Sequence, residues 1–269
     1  MKTKAFGLFR TALALLERLC DILINIDKIV APSPAQWEMA VHGMRNSFNS
    51  WDKSDSYITH VEDQDTLGTA DYQFCLGDAD MSLMQTLTRL GGSHRKFLRM
   101  LPVVMDISAP LSVWKQLDTY KVGTVANSCS TMHKVMEKEF TSDMFSMEDV
   151  HTIAGLTSRD QTICALNTLR TLYVNGGKAS VVNPINHSIS VIEYAPKSPD
   201  IWRELIQLLP DSYIQKRTWF ANYEVLLKIY FERRNHKMPE WHTLCKEIER
   251  LPRMETFIDA LEHNKESEE

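Results

Sequence analysis

Lys121, the adjacent pair Arg233-Arg234 and Ser130 are the side chains best suited to hold an oxyanion or polarise a carbonyl. A guanidinium is planar and permanently charged, so it pairs with phosphate or ring-carbonyl oxygens and opposes negative charge that develops there. Ser130 closes a run of small residues from Gly123. A serine in such a turn offers its hydroxyl and neighbouring backbone N–H groups to an anion, and it serves equally well as a helix cap. The run Arg233-Arg234-Asn235-His236-Lys237 also reads as a solvated helix end, where cations favour the C-terminal dipole. Gln116, Asn127 and Asn222 are neutral amides that can read the edge of a heterocycle. His94 follows Gly91-Gly92-Ser93, and a lone histidine after such a stop is more usually structural.

Other chemistries fit poorly. The cysteines number five, with no CxxC pair, and the nine histidines show neither HxxxH nor HExxH, so no metal site is expected. Unpaired cysteines suit a reducing, cytoplasmic setting. A net charge of −5 argues against non-specific binding to nucleic acid, which needs a clustered basic footprint. The apolar stretch from Ala5 to Val30 is broken by Arg10, Glu17, Arg18, Asp21 and Asp27, so no run of about 18 apolar residues survives to span a membrane. An amphipathic helix is expected there, packed on the body or on a second subunit.

These residues need elements to position them. Ser33 with Pro34 and Gln36 predicts a capped helix start, followed by Trp37, Val41, Met44 and Phe48 on one face. Asp52 to Gly77 reads as loop or short hairpin. Leu83 to Leu90 reads as a helix stopped by Gly91-Gly92. Leu101–Ala109 alternates as a strand ended by Pro110, and Val113–Tyr120 looks helical. A helix is expected from a Ser158–Gln161 capping box to Asn175, then short strands within Val181–Tyr194 and a helix from Ser198-Pro199 to Pro210. Trp219, Tyr223, Leu226, Leu227 and Tyr230 predict a long helix, and Trp241, Leu244, Ile248 and Leu251 a last one. The fold class is α+β and helix-rich, with a helical extension over 1–32, a domain over 33–255 and a charged tail over 256–269.

Several segments, in collinear order, resemble the flavin-dependent thymidylate synthases. Gly92-Ser93-His94, the strand through Val103-Val104-Met105-Asp106-Ile107, the Ala109-Pro110 corner and Gln116 are similar to that family's Gly-His turn, strand, Ala-Pro corner and Gln. The family signature that follows is Arg-His-Arg, seven or eight residues, then Ser. Here Thr119-Tyr120-Lys121 is followed, after Val122 to Cys129, by Ser130. Asn127 stands in the place of the motif Asn, Ser128 in that of its acidic neighbour, and Met132-His133 in that of an Arg-Tyr pair. Leu209-Pro210, Asn222, Phe231-Glu232-Arg233-Arg234 and Glu240-Trp241 are similar to the closing segments, and Ala40 to Phe48 to the opening helix.

The resemblance implies a small central sheet and reductive methylation of dUMP at C5. It implies FAD as cofactor, with NADPH and methylene-tetrahydrofolate as co-substrates, in a homotetramer acting on neither membrane nor nucleic acid. It assigns the flavin to Ser47, His94, Lys96, Thr119, Tyr120, Lys121, Asn127 and Asn222. It assigns the nucleotide to Gln116, Ser128, Ser130, Arg233 and Arg234, with Arg234 and Ser130 nearest the chemistry. Thr119 and Tyr120 remove two of the signature's cationic groups, and Ile206 replaces an Arg that serves the nucleotide phosphate. Each charge-assisted hydrogen bond lost costs about 1.5–3 kcal/mol. The alternative is a catalytically silent homologue that binds a nucleotide or acts as an oligomeric interaction protein.

Overall fold

A computed structural model describes residues 24–61 and 71–266. The expected N-terminal amphipathic helix lies outside the described residues except for its end. There the chain is β1, Asn25–Val30, a strand rather than a helix. The described elements then run α1 Pro34–Arg45, β2 Tyr57–Val61, β3 Asp71–Cys75, α2 Asp78–Leu90, β4 Pro102–Pro110, α3 Leu111–Leu117, β5 Val125–Ser128 and α4 Thr131–Lys134. They continue with α5 Ile153–Asn175, β6 Gly177–Val182, β7 Ile189–Tyr194, α6 Pro199–Leu208, β8 Ile214–Asn222, α7 Tyr223–Arg233, α8 Pro239–Glu249 and α9 Met254–Glu266. The strands form a four-stranded sheet in the order β1-β4-β8-β5 and two separate antiparallel ribbons, β2-β3 and β6-β7. The architecture is α+β, dominated by helix.

Local signals explain most starts and stops. The Ser33 hydroxyl accepts from the Gln36 N–H, while Gln36 Oε1 accepts from the Ser33 N–H at 2.8 Å, closing the expected capping box. Gly91, at a φ of 63°, ends α2 in a conformation that a side chain would resist. Three of the four residues expected on one face of α1 are buried. Trp37, Val41 and Met44 are buried, but Phe48 lies past the helix in a 3-10 turn and is exposed.

Three expectations are corrected. The helix expected from Ser158 begins earlier, at Ile153, because the Thr152 side chain caps it by accepting from the Gly155 N–H at 3.1 Å. Trp219 is on β8, not on a helix: Gln215, Trp219 and Ala221 are buried with a two-residue period, and α7 begins only at Tyr223. The segment expected as a charged tail carries α9, whose Met254, Phe257 and Ile258 are buried.

The chain divides into two units. The first comprises 1–107, 117–127 and 217–269, and the second 108–116 and 128–216. In the first, Trp37 is the centre of an aromatic cluster, edge-on to Tyr223 at 5.4 Å and stacked with Phe74 and Phe257 at 6.2 and 6.4 Å. Helix α7 packs on α8 and on the 3-10 segment His94–Met100, and α9 packs on α2. In the second unit, Val135, Met136, Phe140, Phe145, Leu166 and Leu205 form the core, with α5 against α6. Among the described residues, no helix is long and apolar enough to cross a membrane.

Candidate functional site

Strand β8 runs into α7 without an intervening loop, and Asn222 is the joint. Its side-chain oxygen accepts from the Val225 N–H at 3.1 Å and caps the helix. Opposite lies the turn after α3. The Tyr120 N–H donates to the Leu117 carbonyl, and Gly123 follows with a φ of 81°. A Cβ on Gly123 would meet the Asn222 Nδ2 at 2.6 Å, so only glycine lets the turn approach the cap this closely.

The turn, α7 and the His94–Met100 segment enclose a cleft of about 410 Å³ within the first unit. From the turn come Thr119, Tyr120, Lys121 and Val122; from α7 come Glu224, Val225, Lys228, Glu232 and Arg233; from the 3-10 segment come Arg95 and Arg99. Glu224, Lys228 and Glu232 recur every four residues and so share one face of the helix. Five cations meet two carboxylates here, an excess of three positive charges in a chain whose net charge is −5.

Two arrangements organise these charges. Glu224 is shared by two arginines: Oε1 accepts from Arg95 Nε and from Arg99 Nη2, both at 3.3 Å, and Oε2 accepts from Arg99 Nε. The Tyr120 hydroxyl donates to Glu232 Oε2 at 2.7 Å and accepts from Arg233 Nε at 3.1 Å. The Arg233 guanidinium also lies 4.7 Å from the centre of the Trp241 ring, a cation–π contact that fixes its plane. Burial, and after it the bond to Glu232, push the Tyr120 hydroxyl above its ordinary pKa, so it stays protonated at neutral pH. Lys121 is exposed and forms no ion pair among the described residues.

The structure thus brings Thr119, Tyr120, Lys121 and Arg233 together, with Asn222 beneath them. Tyr120 is buried, its hydroxyl positions Arg233 and Glu232, and the Lys228 and Arg233 cations lie 5.8 and 5.9 Å from its ring centre. Arg234 does not line the cleft. It pairs with Glu262 on α9 and lies over the Phe231 and Tyr230 rings, at 4.9 and 5.4 Å from their centres. His94, Lys96, Ser47 and Asn127 are exposed and are not among the lining residues. Gln116, Ser128 and Ser130 belong to the second unit; the Ser130 carbonyl accepts from the Lys134 N–H at 3.1 Å, in the first turn of α4. Ile206, also in that unit, packs against its apolar core.

Arg95, Arg99, Glu224, Lys228 and Glu232 are absent from the sequence-based set. The four-residue spacing of Arg95 with Arg99, and of Glu224, Lys228 and Glu232, is the one signal that marks them. The lining includes no cysteine or histidine. Among the described residues, no group of three or more His, Cys, Asp or Glu is placed to hold a metal ion. The excess of cations equips the cleft to hold and orient an anion.

The sequence matches no protein-family model and no curated protein. Among solved structures, the chain is similar to the flavin-dependent thymidylate synthase ThyX from Helicobacter pylori complexed with FAD and dUMP. The TM-score is 0.55 at 15% identity, over 88% of this chain and 99% of that one. A second structure of thymidylate synthase X from the same organism, also with FAD and dUMP, gives 0.53 at 13% identity over 88% and 98%. The likeness establishes the fold, a ThyX-like α+β fold.

Proposed function

We propose that this protein is a divergent flavin-dependent thymidylate synthase, which holds FAD and a pyrimidine nucleotide and methylates dUMP at C5. One observation carries the reading: Lys121, in the place of the signature's last cation, shares a net-positive cleft with Arg233 from the closing helix. The donor set fits an anionic dinucleotide. The volume is within the ~300–1,000 Å³ range of small-molecule sites, and cations outnumber carboxylates on its walls.

In this reading Lys121, Lys228, Arg95 and Arg99 take the phosphate oxygens. Arg233, held flat by Tyr120 and Trp241, presents its guanidinium to a ring carbonyl and stabilises negative charge that develops there. When bound, the reduced flavin supplies the hydride, methylene-tetrahydrofolate the carbon, and NADPH the renewal of the reductant. Asn222 holds the α7 wall in place. A homotetramer in the cytoplasm belongs to the same proposal, as do nucleotide-side roles for Gln116, Ser128 and Ser130. So do roles for Ser47, His94, Lys96, Asn127 and Arg234.

The test is spectroscopic. The purified full chain should be yellow or take up added FAD, and should then release tritium from C5-labelled dUMP in the presence of the folate. A colourless protein indifferent to FAD overturns the proposal. A second reading, binding without turnover, is favoured by the buried Tyr120, whose hydroxyl is committed to Glu232 and Arg233 where the family has a histidine. It gives FAD binding with no tritium release.

A further inference from the structure

The Arg95–Glu224–Arg99 cluster resembles an anion site already filled. Glu224 is 17% exposed and is held by two guanidiniums, whose side chains are 26% and 55% exposed. Its Oε1 bonds, at 3.3 Å, are longer than the ~2.7–2.9 Å of a strong charge-assisted pair, so the close Arg99 Nε–Oε2 contact is the one strong bond that a displacing anion must replace. A phosphate oxygen can accept from the same guanidinium forks. One helical turn along, Lys228 lies 3.8 Å from Glu232 and 5.8 Å from the centre of the Tyr120 ring, and Lys121 across the cleft has no ion pair among the described residues. A single carboxylate cannot use those two lysines, whereas an extended anion with two or more charges can reach several of these cations at once.

We propose that Glu224 is a resident counter-anion of this cleft. It occupies Arg95 and Arg99 until a diphosphate displaces it, and it thereby sets the preference of the site for multiply charged phosphates over singly charged anions. The inference deepens the nucleotide-binding reading above and rests on it for the identity of the natural ligand. A purely structural Glu224 makes a different forecast. An acidic residue in the first turn of α7 interacts favourably with the helix dipole, and its loss would lower stability without raising affinity for any anion.

The experiment titrates inorganic pyrophosphate and acetate into the full chain at fixed ionic strength, by calorimetry, for wild type, E224Q and R99Q. The wild type should bind pyrophosphate and ignore acetate. E224Q should bind pyrophosphate about tenfold more tightly, as one charge-assisted contact no longer has to be broken, and should admit acetate. R99Q should bind pyrophosphate more weakly than wild type. Pyrophosphate affinity that E224Q leaves unchanged or lowers overturns the proposal, as does the absence of pyrophosphate binding in wild type. If E224Q does not fold, wild type and R99Q decide: acetate binding as well as pyrophosphate, or affinity untouched in R99Q, overturns it. Tighter pyrophosphate binding without any FAD binding would remove the flavin reading and keep the counter-anion. FAD binding with pyrophosphate affinity indifferent to E224Q would do the reverse.

Discussion

Gly123 and Asn222 are packed so closely that a single added methyl group on the glycine would lie 2.6 Å from the amide nitrogen of the asparagine. The turn that carries Lys121 is thus seated on the residue that caps α7, and the two walls of the cleft are held together at their base. Gly123→Ala adds both a clash and strain at a φ of 81°, and should destabilise the protein by about 1–3 kcal/mol in urea denaturation. Asn222→Ala, which removes the cap alone, should cost about 1 kcal/mol. Wild-type stability in Gly123→Ala would refute the arrangement.

Lys121→Ala should reduce affinity for FAD or pyrophosphate at least tenfold, because it deletes a cation with no ion pair among the described residues. For the same reason it should shift stability by no more than about 0.5 kcal/mol. Lys121→Arg should keep most of the binding. Equal ligand affinity in wild type and Lys121→Ala, measured by flavin fluorescence, contradicts the role given to this side chain.

Tyr120→Phe removes the hydroxyl between Glu232 and Arg233, with an expected loss of about 1–2 kcal/mol. The pH dependence has a definite sign. Burial and the bond to Glu232 raise the folded-state pKa above that of the unfolded chain. The stabilisation is therefore complete below the unfolded value of about 10 and is lost as pH rises through the folded value. Tyrosinate absorbance should show one late-titrating phenol fewer in Tyr120→Phe than in wild type; an unchanged alkaline titration would count against this.

Asp80 governs the acid side. It is fully buried and accepts from Arg45 Nε at 2.5 Å and from the Ser54 and Ser56 hydroxyls at 2.7 Å each. Burial alone would raise its pKa, but the bonds from Ser56, Ser54 and Arg45 outweigh it and hold the carboxyl below its ordinary value. Its contribution is present above the unfolded pKa of about 3.9 and is lost as pH falls through the lower folded value. Arg45→Met should cost about 3–5 kcal/mol by leaving a buried charge without its partner. Asp80→Asn should flatten the loss of stability in acid, which melting curves at successive pH values would reveal.

The sequence carries those parts of the fold that are written in local contacts. Ser33 and Gln36 are three residues apart, and the helix they start lies where their types place it. The alternation along β4 is visible because its odd-numbered residues, Val103, Met105 and Ile107, are buried. The β8 strand is hidden because Trp219, Tyr223, Leu226 and Tyr230 also fit a helical spacing, and the two-residue period before Asn222 is masked by it. The cleft is legible only in part. Lys121 and Arg233 can be picked out by type and place, but Arg95 meets Glu224 across 129 positions, which no local spacing encodes. Arg233 and Arg234, indistinguishable in the sequence, part company because Trp241 takes one and Glu262 the other.

Because β8 becomes α7 at a single residue, Glu224, Lys228, Glu232 and Arg233 are carried on a beam anchored in the sheet, without a hinge at its root. Such a wall has less freedom to move toward a guest than a turn has. Any accommodation on ligand entry falls to residues 118–124 and to the short turn bearing Arg95 and Arg99, so changes in amide exchange should concentrate there and spare the helix.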